Sequence, residues 1–427
     1  MLKYSLPILI SLFTCTQLQA EKTDEQIEAE MKALGIEDEG LGAKDPDLYD
    51  LLDYPREWGD EKKVKKYEKE GMTPEEAKAK LAAEKKKRLE DDAKKTSFLT
   101  GFPFIGYNAY TGTAYGIIAN YSVYFGDKET TKLSAFNAVA VYTSKEQTTF
   151  RVMNQYYSNE NKLFITGYAM WANTPGDTYG IGGNTPESNA VVENKTFTKI
   201  NEAVLFKLKK DLYLGGQFTA DIRYKVGTEE PGPNAYTEYA YGTTEPYSVY
   251  GGGLAFVYDS RDNPNSAYEG AYINTNYQYF GGDYKFTVLS LDARKFIELP
   301  DKRNVLGLWF LATFTTGDVP YDSLPANGTD PMLASARGYV SRRYTGEDLI
   351  DAEIEYRRNI WKWFGAVVFA NVHSVTETNG KFVYYNPGGG GGIRLKLSKE
   401  ARANLSVDYA WGKQGSHYAY FRLVEAF

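Results

Sequence analysis

The sequence predicts an all-β transmembrane fold, an outer-membrane antiparallel β-barrel of about sixteen strands over residues 97–427, behind a charged, partly helical extension. Three observations predict it. Apolar and polar residues alternate after Phe98 between Gly, Asn and Asp breaks, and the connections between strands alternate short and long. The chain also carries 36 Tyr, 22 Phe and 6 Trp, the supply that aromatic girdles at two membrane interfaces need. A mean hydropathy of −0.48 and the lack of a long apolar run do not oppose this, because each barrel strand is only half apolar. A soluble sandwich would share the alternation; the aromatic content behind an export signal favours the barrel.

That signal occupies residues 1–20. Lys3 gives a basic start, Leu6 to Phe13 an apolar run too short for a spanning helix, and Leu18-Gln19-Ala20 a small-residue cleavage site before Glu21. A lipoprotein signal acylated at Cys15 is the alternative, with Phe13 and Thr14 as poor neighbours for that cleavage. Cys15 is the only cysteine, so cleavage after Ala20 excludes disulfides, thiol catalysis and cysteine-held metal.

Residues 21–96 form the extension, with 17 Lys/Arg and 23 Asp/Glu among 76 residues. Thr73-Pro74-Glu75-Glu76 is a helix start: Thr caps, Pro suits the first helical position, and acids suit the first turn. The helix runs to about Lys95 with few apolar residues at helical spacing, which reads as a solvated periplasmic segment. Leu48, Leu51, Leu52, Tyr54 and Trp58 make one small apolar cluster, so a folded partner-binding module is the other reading.

The strands follow from alternation. Over 212–225, Leu212, Leu214, Phe218, Ala220, Ile222 and Tyr224 share one face, and Tyr213, Gln217, Thr219, Asp221, Arg223 and Lys225 the other. Over 401–412, Ala403, Leu405, Val407, Tyr409 and Trp411 oppose Arg402, Asn404, Ser406, Asp408 and Ala410. Continuing in this way places strand centres near 106, 119, 138, 152, 166, 204, 218, 254, 274, 288, 310, 352, 367, 393, 407 and 421. Connections after even-numbered strands are expected to be short. Long ones are expected near 172–196, 226–247, 318–345 and 373–384, the asymmetry of a barrel with periplasmic turns and outer loops.

Three local sequences carry a resemblance. Asp259-Ser260-Arg261-Asp262-Asn263-Pro264 with Gly270 joins the eighth and ninth strands. Ala336-Arg337-Gly338-Tyr339 sits in the longest late loop. Gly388 to Gly392 with Ile393-Arg394-Leu395 precedes Leu405-Ser406-Val407-Asp408-Tyr409. In this order and spacing they resemble the barrel of the BamA/TamA outer-membrane assembly family, also called the bacterial surface antigen family, over residues 97–427. The resemblance implies that Arg337 folds back into the lumen and pairs with acids of the following strands. Family members carry tandem POTRA domains; residues 21–96 have about the length of one but no alternating strands, so the chain resembles the subgroup without them.

The residues themselves support that role. Ala336 and Gly338 leave the loop tip slim, and a planar guanidinium favours bidentate carboxylates. Asp351, Glu353 and Glu355 share one face of the twelfth strand, Asp408 projects from the fifteenth, and Asn371 offers an amide that bonds without neutralising. The expected partners of Arg337 are Glu353, Glu355, Asp408 and Asn371; an ordinary exposed loop arginine is the bland alternative. Asp259, Arg261, Asp262 and Asn263 read as a structural turn with Asx bonding. Phe421, Leu423 and Phe427 resemble the family's C-terminal signal, with Glu425 interrupting the alternation.

No enzyme is expected. His373 and His417 are the only histidines and fall near strand ends on the outer side, and Ser374 and Ser416, their neighbours in sequence, point to opposite faces. The glycine run lacks the strand–loop–helix setting of a phosphate cradle. Neither a cofactor nor a metal is called for, and a net charge of −7 argues against nucleic acid. The expected location is the outer membrane with the extension in the periplasm, and the expected partners are outer-membrane lipids, client barrel proteins and periplasmic factors. Two functions remain: an assembly or translocation factor working through a weak seam between the first and last strands, and a passive pore or structural barrel.

Overall fold

The structure, a computed structural model, describes residues 62–108, 112–228, 239–300, 304–330, 334–361, 363–398 and 401–427. The expected signal peptide and the extension up to residue 61 lie outside the described residues.

Two helices come first, α1 (62–69) and α2 (Pro74–Lys94). Thr73 starts α2 with a reciprocal capping box: the Glu76 backbone N–H donates to the Thr73 hydroxyl at 3.3 Å, and the Thr73 N–H donates to the Glu76 carboxylate at 2.8 Å. The Tyr67 hydroxyl donates to Glu84 at 2.7 Å, and Tyr67, Ala77 and Leu81 are buried. So little apolar surface stabilises little. Deleting residues 21–90 while keeping residues 1–20 should leave a folded β-domain whose gel mobility still shifts on heating; loss of that shift would make the segment integral to the domain.

Sixteen antiparallel strands follow, each bonded to its neighbour in sequence. They are β1 (Ser97–Asn108), β2 (Gly112–Val123), β3 (Ser134–Thr143), β4 (Thr148–Tyr157), β5 (Leu163–Thr178) and β6 (Val191–Lys209). Next come β7 (Leu212–Lys225), β8 (Tyr247–Asp259), β9 (Gly270–Gly282), β10 (Phe286–Glu298) and β11 (Asn304–Gly317). The last are β12 (Asp348–Trp361), β13 (Phe364–Val375), β14 (Asn386–Ser398), β15 (Ala403–Trp411) and β16 (His417–Arg422). Every strand centre read from the sequence falls inside an observed strand.

The alternation sorts side chains as barrel strands require. On β12, Glu353 and Glu355 are buried while Ile354 between them is 47% exposed. Leu254, Val368, Ile117 and Phe218 stand on the outer face with half or more of their surface exposed. The interior is not uniformly polar. Tyr157, Phe164, Leu205, Tyr213 and Val257 pack together inside, with the Tyr157 and Phe164 rings stacked at 4.3 Å.

Connections after β4, β6, β10, β12 and β14 are short, but those after β2 and β8 span 124–133 and 260–269, longer than the sequence suggested. Both are held by side chains rather than by tight turns. Lys132 pairs with Asp211 at 3.0 Å. Asn265 donates to Ser122 at 3.0 Å and to the Ala401 carbonyl at 2.8 Å, and accepts from Asn120 at 3.1 Å. Asn265 thereby ties β2 to the β14–β15 turn.

Among the described residues no ladder joins β16 to β1. β1 has twelve residues and bonds only to β2, while β16 has six. After Arg422 the chain turns inward. Glu425 accepts from Arg394 at 2.6 Å and from Asn404 at 2.8 Å, the Phe427 carbonyl accepts from Arg357 at 2.9 Å, and the Phe427 ring stacks 5.2 Å from Trp309. Phe421 faces outward on β16, whereas Leu423 and Phe427 are buried. Phe421 thus parts from Leu423 and Phe427 where the chain turns in, because the cations that suit Glu425 and the terminus lie inside. No described helix is long and apolar enough to cross a membrane.

Candidate functional site

The loop from Asp318 to Glu347, between β11 and β12, carries the site. Its tip is Ala336-Arg337-Gly338-Tyr339, with Ala336 at φ 53° and Gly338 at φ 113°. The Gly338 N–H donates to the Tyr420 hydroxyl at 2.9 Å, its carbonyl accepts from Ser416 at 2.7 Å, and the Tyr339 hydroxyl donates to the Pro387 carbonyl at 2.6 Å. The tip is thus docked on β14 and on the β15–β16 connection.

Arg337 is fully buried. Its guanidinium takes Glu353 in a bidentate grip, with Nε donating at 3.2 Å, and also reaches Glu355 and, at 2.9 Å, Asp408. Phe369 lies beneath it, 3.4 Å from ring centre to guanidinium carbon, a cation–π contact that gains from exclusion of water. The Asn371 amide donates to the Arg337 carbonyl at 2.9 Å and to Glu353 at 3.4 Å. Three further arginines complete the cluster. Arg357 donates to Glu355 at 2.6 Å, Arg394 to Asp408 at 2.6 Å, and Arg422 to Asp408 at 3.2 Å. With Glu425 on Arg394, these four arginines interleave with Glu353, Glu355, Asp408 and Glu425, so each of these buried ions has an opposite charge beside it, as burial of ions requires.

The glycine run supplies the room. A Cβ on Gly388 would lie 2.6 Å from the Arg337 carbonyl and 2.7 Å from the Asn371 side chain, so the loop backbone approaches this strand as only glycine allows. Gly390 and Gly392 likewise sit opposite Phe369 and Asp408.

A second anchor escaped sequence reasoning. Asp322, in the same loop, accepts from Arg223 on β7 at 2.9 Å and from Lys195 on β6 at 3.2 Å, with Arg342 at 3.7 Å. The loop thus sends an acid to cations on one wall and a cation to acids on another. Burial alone would raise the Asp322 carboxyl, but Lys195, Arg223 and Arg342 outweigh it and hold it well below the usual carboxylate range. A depressed native value means the anchor is fully formed above the unfolded value of about 3.9 and is lost as pH falls through the native one. Protease access to the loop should therefore rise only well below pH 4, and Asp322→Asn should raise it already at neutral pH. Equal access in both proteins at neutral pH would remove Asp322 from this role.

The remaining expected residues lie elsewhere. Asp259 and Arg261 are buried and paired at 2.8 Å, with Arg261 reaching Gln155 at 2.9 Å. Asp262 accepts from Arg402 at 2.6 Å, and the Asn263 side chain accepts the Asn265 N–H at 2.8 Å. These contacts fold the 260–269 connection into the interior. His373 stands two residues from the end of β13, as expected, and is buried, edge-on to Tyr339 at 4.9 Å. His417 is exposed at the start of β16.

Fold and site together define a class: a sixteen-stranded antiparallel barrel sheet with an interior loop clasped by buried charge at two walls. Three solved structures are similar in backbone outline. BamA from Haemophilus ducreyi lacking POTRA domains 1–3 matches at TM-score 0.47 and 14% identity, over 77% of this chain and 69% of that one. CdiB from Acinetobacter baumannii matches at 0.47 and 12%, over 77% and 60%, and CdiB from Escherichia coli at 0.48 and 8%, over 76% and 62%. The chain spans less than two thirds of either CdiB. No protein-family model and no curated protein matches the sequence.

Proposed function

We propose that this chain is an outer-membrane barrel that handles other outer-membrane proteins, admitting an extended client segment at a seam between β1 and β16, with residues 21–96 on the periplasmic side. The observation that carries the reading is the unpaired edge of β1, twelve residues long beside a six-residue β16. An unpaired edge presents free N–H and C=O groups and takes an added strand. In hydrocarbon those groups must be satisfied, so such an edge draws in either β16 or a client. The outward apolar side chains suit a lipid setting. The flanks of the seam are clasped by Asn265 to Ser122 and Ala401, side-chain bonds that open at lower cost than a backbone ladder.

A passive pore fits less well, because the 318–347 loop is clasped inside at both Asp322 and Arg337. Depletion of the protein followed by an inventory of outer-membrane proteins and lipids tests the reading. Selective loss of barrel proteins is expected. Unchanged proteins with altered lipids would assign lipid transport instead, and no change in either would leave a structural barrel.

A further inference from the structure

The lipid-facing wall carries one feature that neither the clasp nor the seam uses. Glu202 on β6 faces outward, between Ile200 and Val204, which are 37% and 42% exposed. Its ladder partners are Gly167 and Phe218. The other outward acidic or basic side chains on the described strands, Asp177, Lys209, Lys295, Asp348, Arg358 and His417, all stand within about three residues of a strand end, where a spanning strand meets the interface. Glu202 alone stands in the middle of the apolar belt. Its carboxylate lies across Gly167, where a Cβ would come 2.8 Å from the Glu202 side-chain carbon, and accepts one bond from Asn154 on β4 at 3.3 Å.

An ionisable side chain at this depth is costly against acyl chains and calls for a polar partner. Lipid headgroups lie at the interfaces, so the partner must itself be embedded and must bring its polar group to the same depth. We infer that Glu202 and Asn154 form the centre of an isologous interface through which two copies of this chain associate along the β4–β6 wall. A two-fold axis along the membrane normal brings the same pair to the same depth in both copies without further design. The pair is also self-complementary: the Asn154 amide donates and accepts, and the carboxyl accepts, and donates when protonated. Gly167 and Ala169 on β5, between the two residues, leave that wall low enough for close approach.

The inference rests on the membrane reading, and the test separates the two. The full chain is expressed in its outer membrane with a photo-crosslinking residue at Val152, beside Asn154 on the outer face, or at Leu308 on β11 as the distant control. Folding is followed by the heat-dependent gel shift. The expected result is a covalent dimer from Val152 and none from Leu308. Glu202→Leu should lower the dimer about three- to tenfold, and Glu202→Gln, which keeps the hydrogen bonds, should retain most of it. Absence of dimer from Val152, equal dimer from both sites, or adducts of another mass would overturn the second-copy assignment while leaving the membrane reading in place. Recovery of folded chain outside the membrane fraction would overturn both.

Discussion

Arg337→Ala should release the loop tip and cost the barrel about 3–5 kcal/mol, since removing one partner of a buried charge cluster leaves the others uncompensated. Glu353, Glu355, Asp408 and Glu425 would then share only Arg357, Arg394 and Arg422, and the Phe369 ring would lose the cation above it. Arg337→Lys should recover only part of the loss, because an ammonium cannot hold Glu353 with two parallel bonds while reaching Glu355 and Asp408. The denaturant midpoint of the folded, heat-modifiable protein measures this. Arg337→Ala combined with Glu355→Ala should cost less than the sum of the single changes. Strict additivity with each of the three acids would show that the contacts carry no energy.

Removing residues 319–345 should have the second large effect: it should turn a barrel that passes few ions into one with a stable conducting path. The loop sets Tyr321 and Leu324 among Tyr247, Phe280 and Phe286 on one wall, and Arg337 among acids on another. It occupies the interior between those walls. Planar-bilayer recordings of the intact and shortened proteins give the comparison. A large, steady conductance in the intact protein would favour the passive-pore reading.

Much of this was legible in the sequence, for a physical reason. A strand with one wet and one lipid face writes its register into every second residue, so β7 and β15 could be placed from alternation alone. Arg337 and its acids were legible for a related reason: once inward parity is known, Glu353, Glu355 and Asp408 have to meet a cation. Asp322 was not. Its partners Lys195 and Arg223 lie 127 and 99 residues away, and nothing local marks Tyr321-Asp322-Ser323 as a segment that enters the barrel. The inward Arg223 could have prompted a search for a loop acid. At the C-terminus, Glu425 interrupts the alternation of Phe421, Leu423 and Phe427 in the sequence, and it is there that the chain turns in toward Arg394.

The edge of β1 is where a client strand would enter. A photo-crosslinking residue at Thr100, read in growing cells by pulse-labelling, reports what lies beside that edge, with Thr275 on β9 as the control. The proposed function predicts adducts with newly made outer-membrane barrel proteins from Thr100 and none from Thr275. Adducts confined to the chain's own terminal strand, or equal capture at both positions, would contradict it.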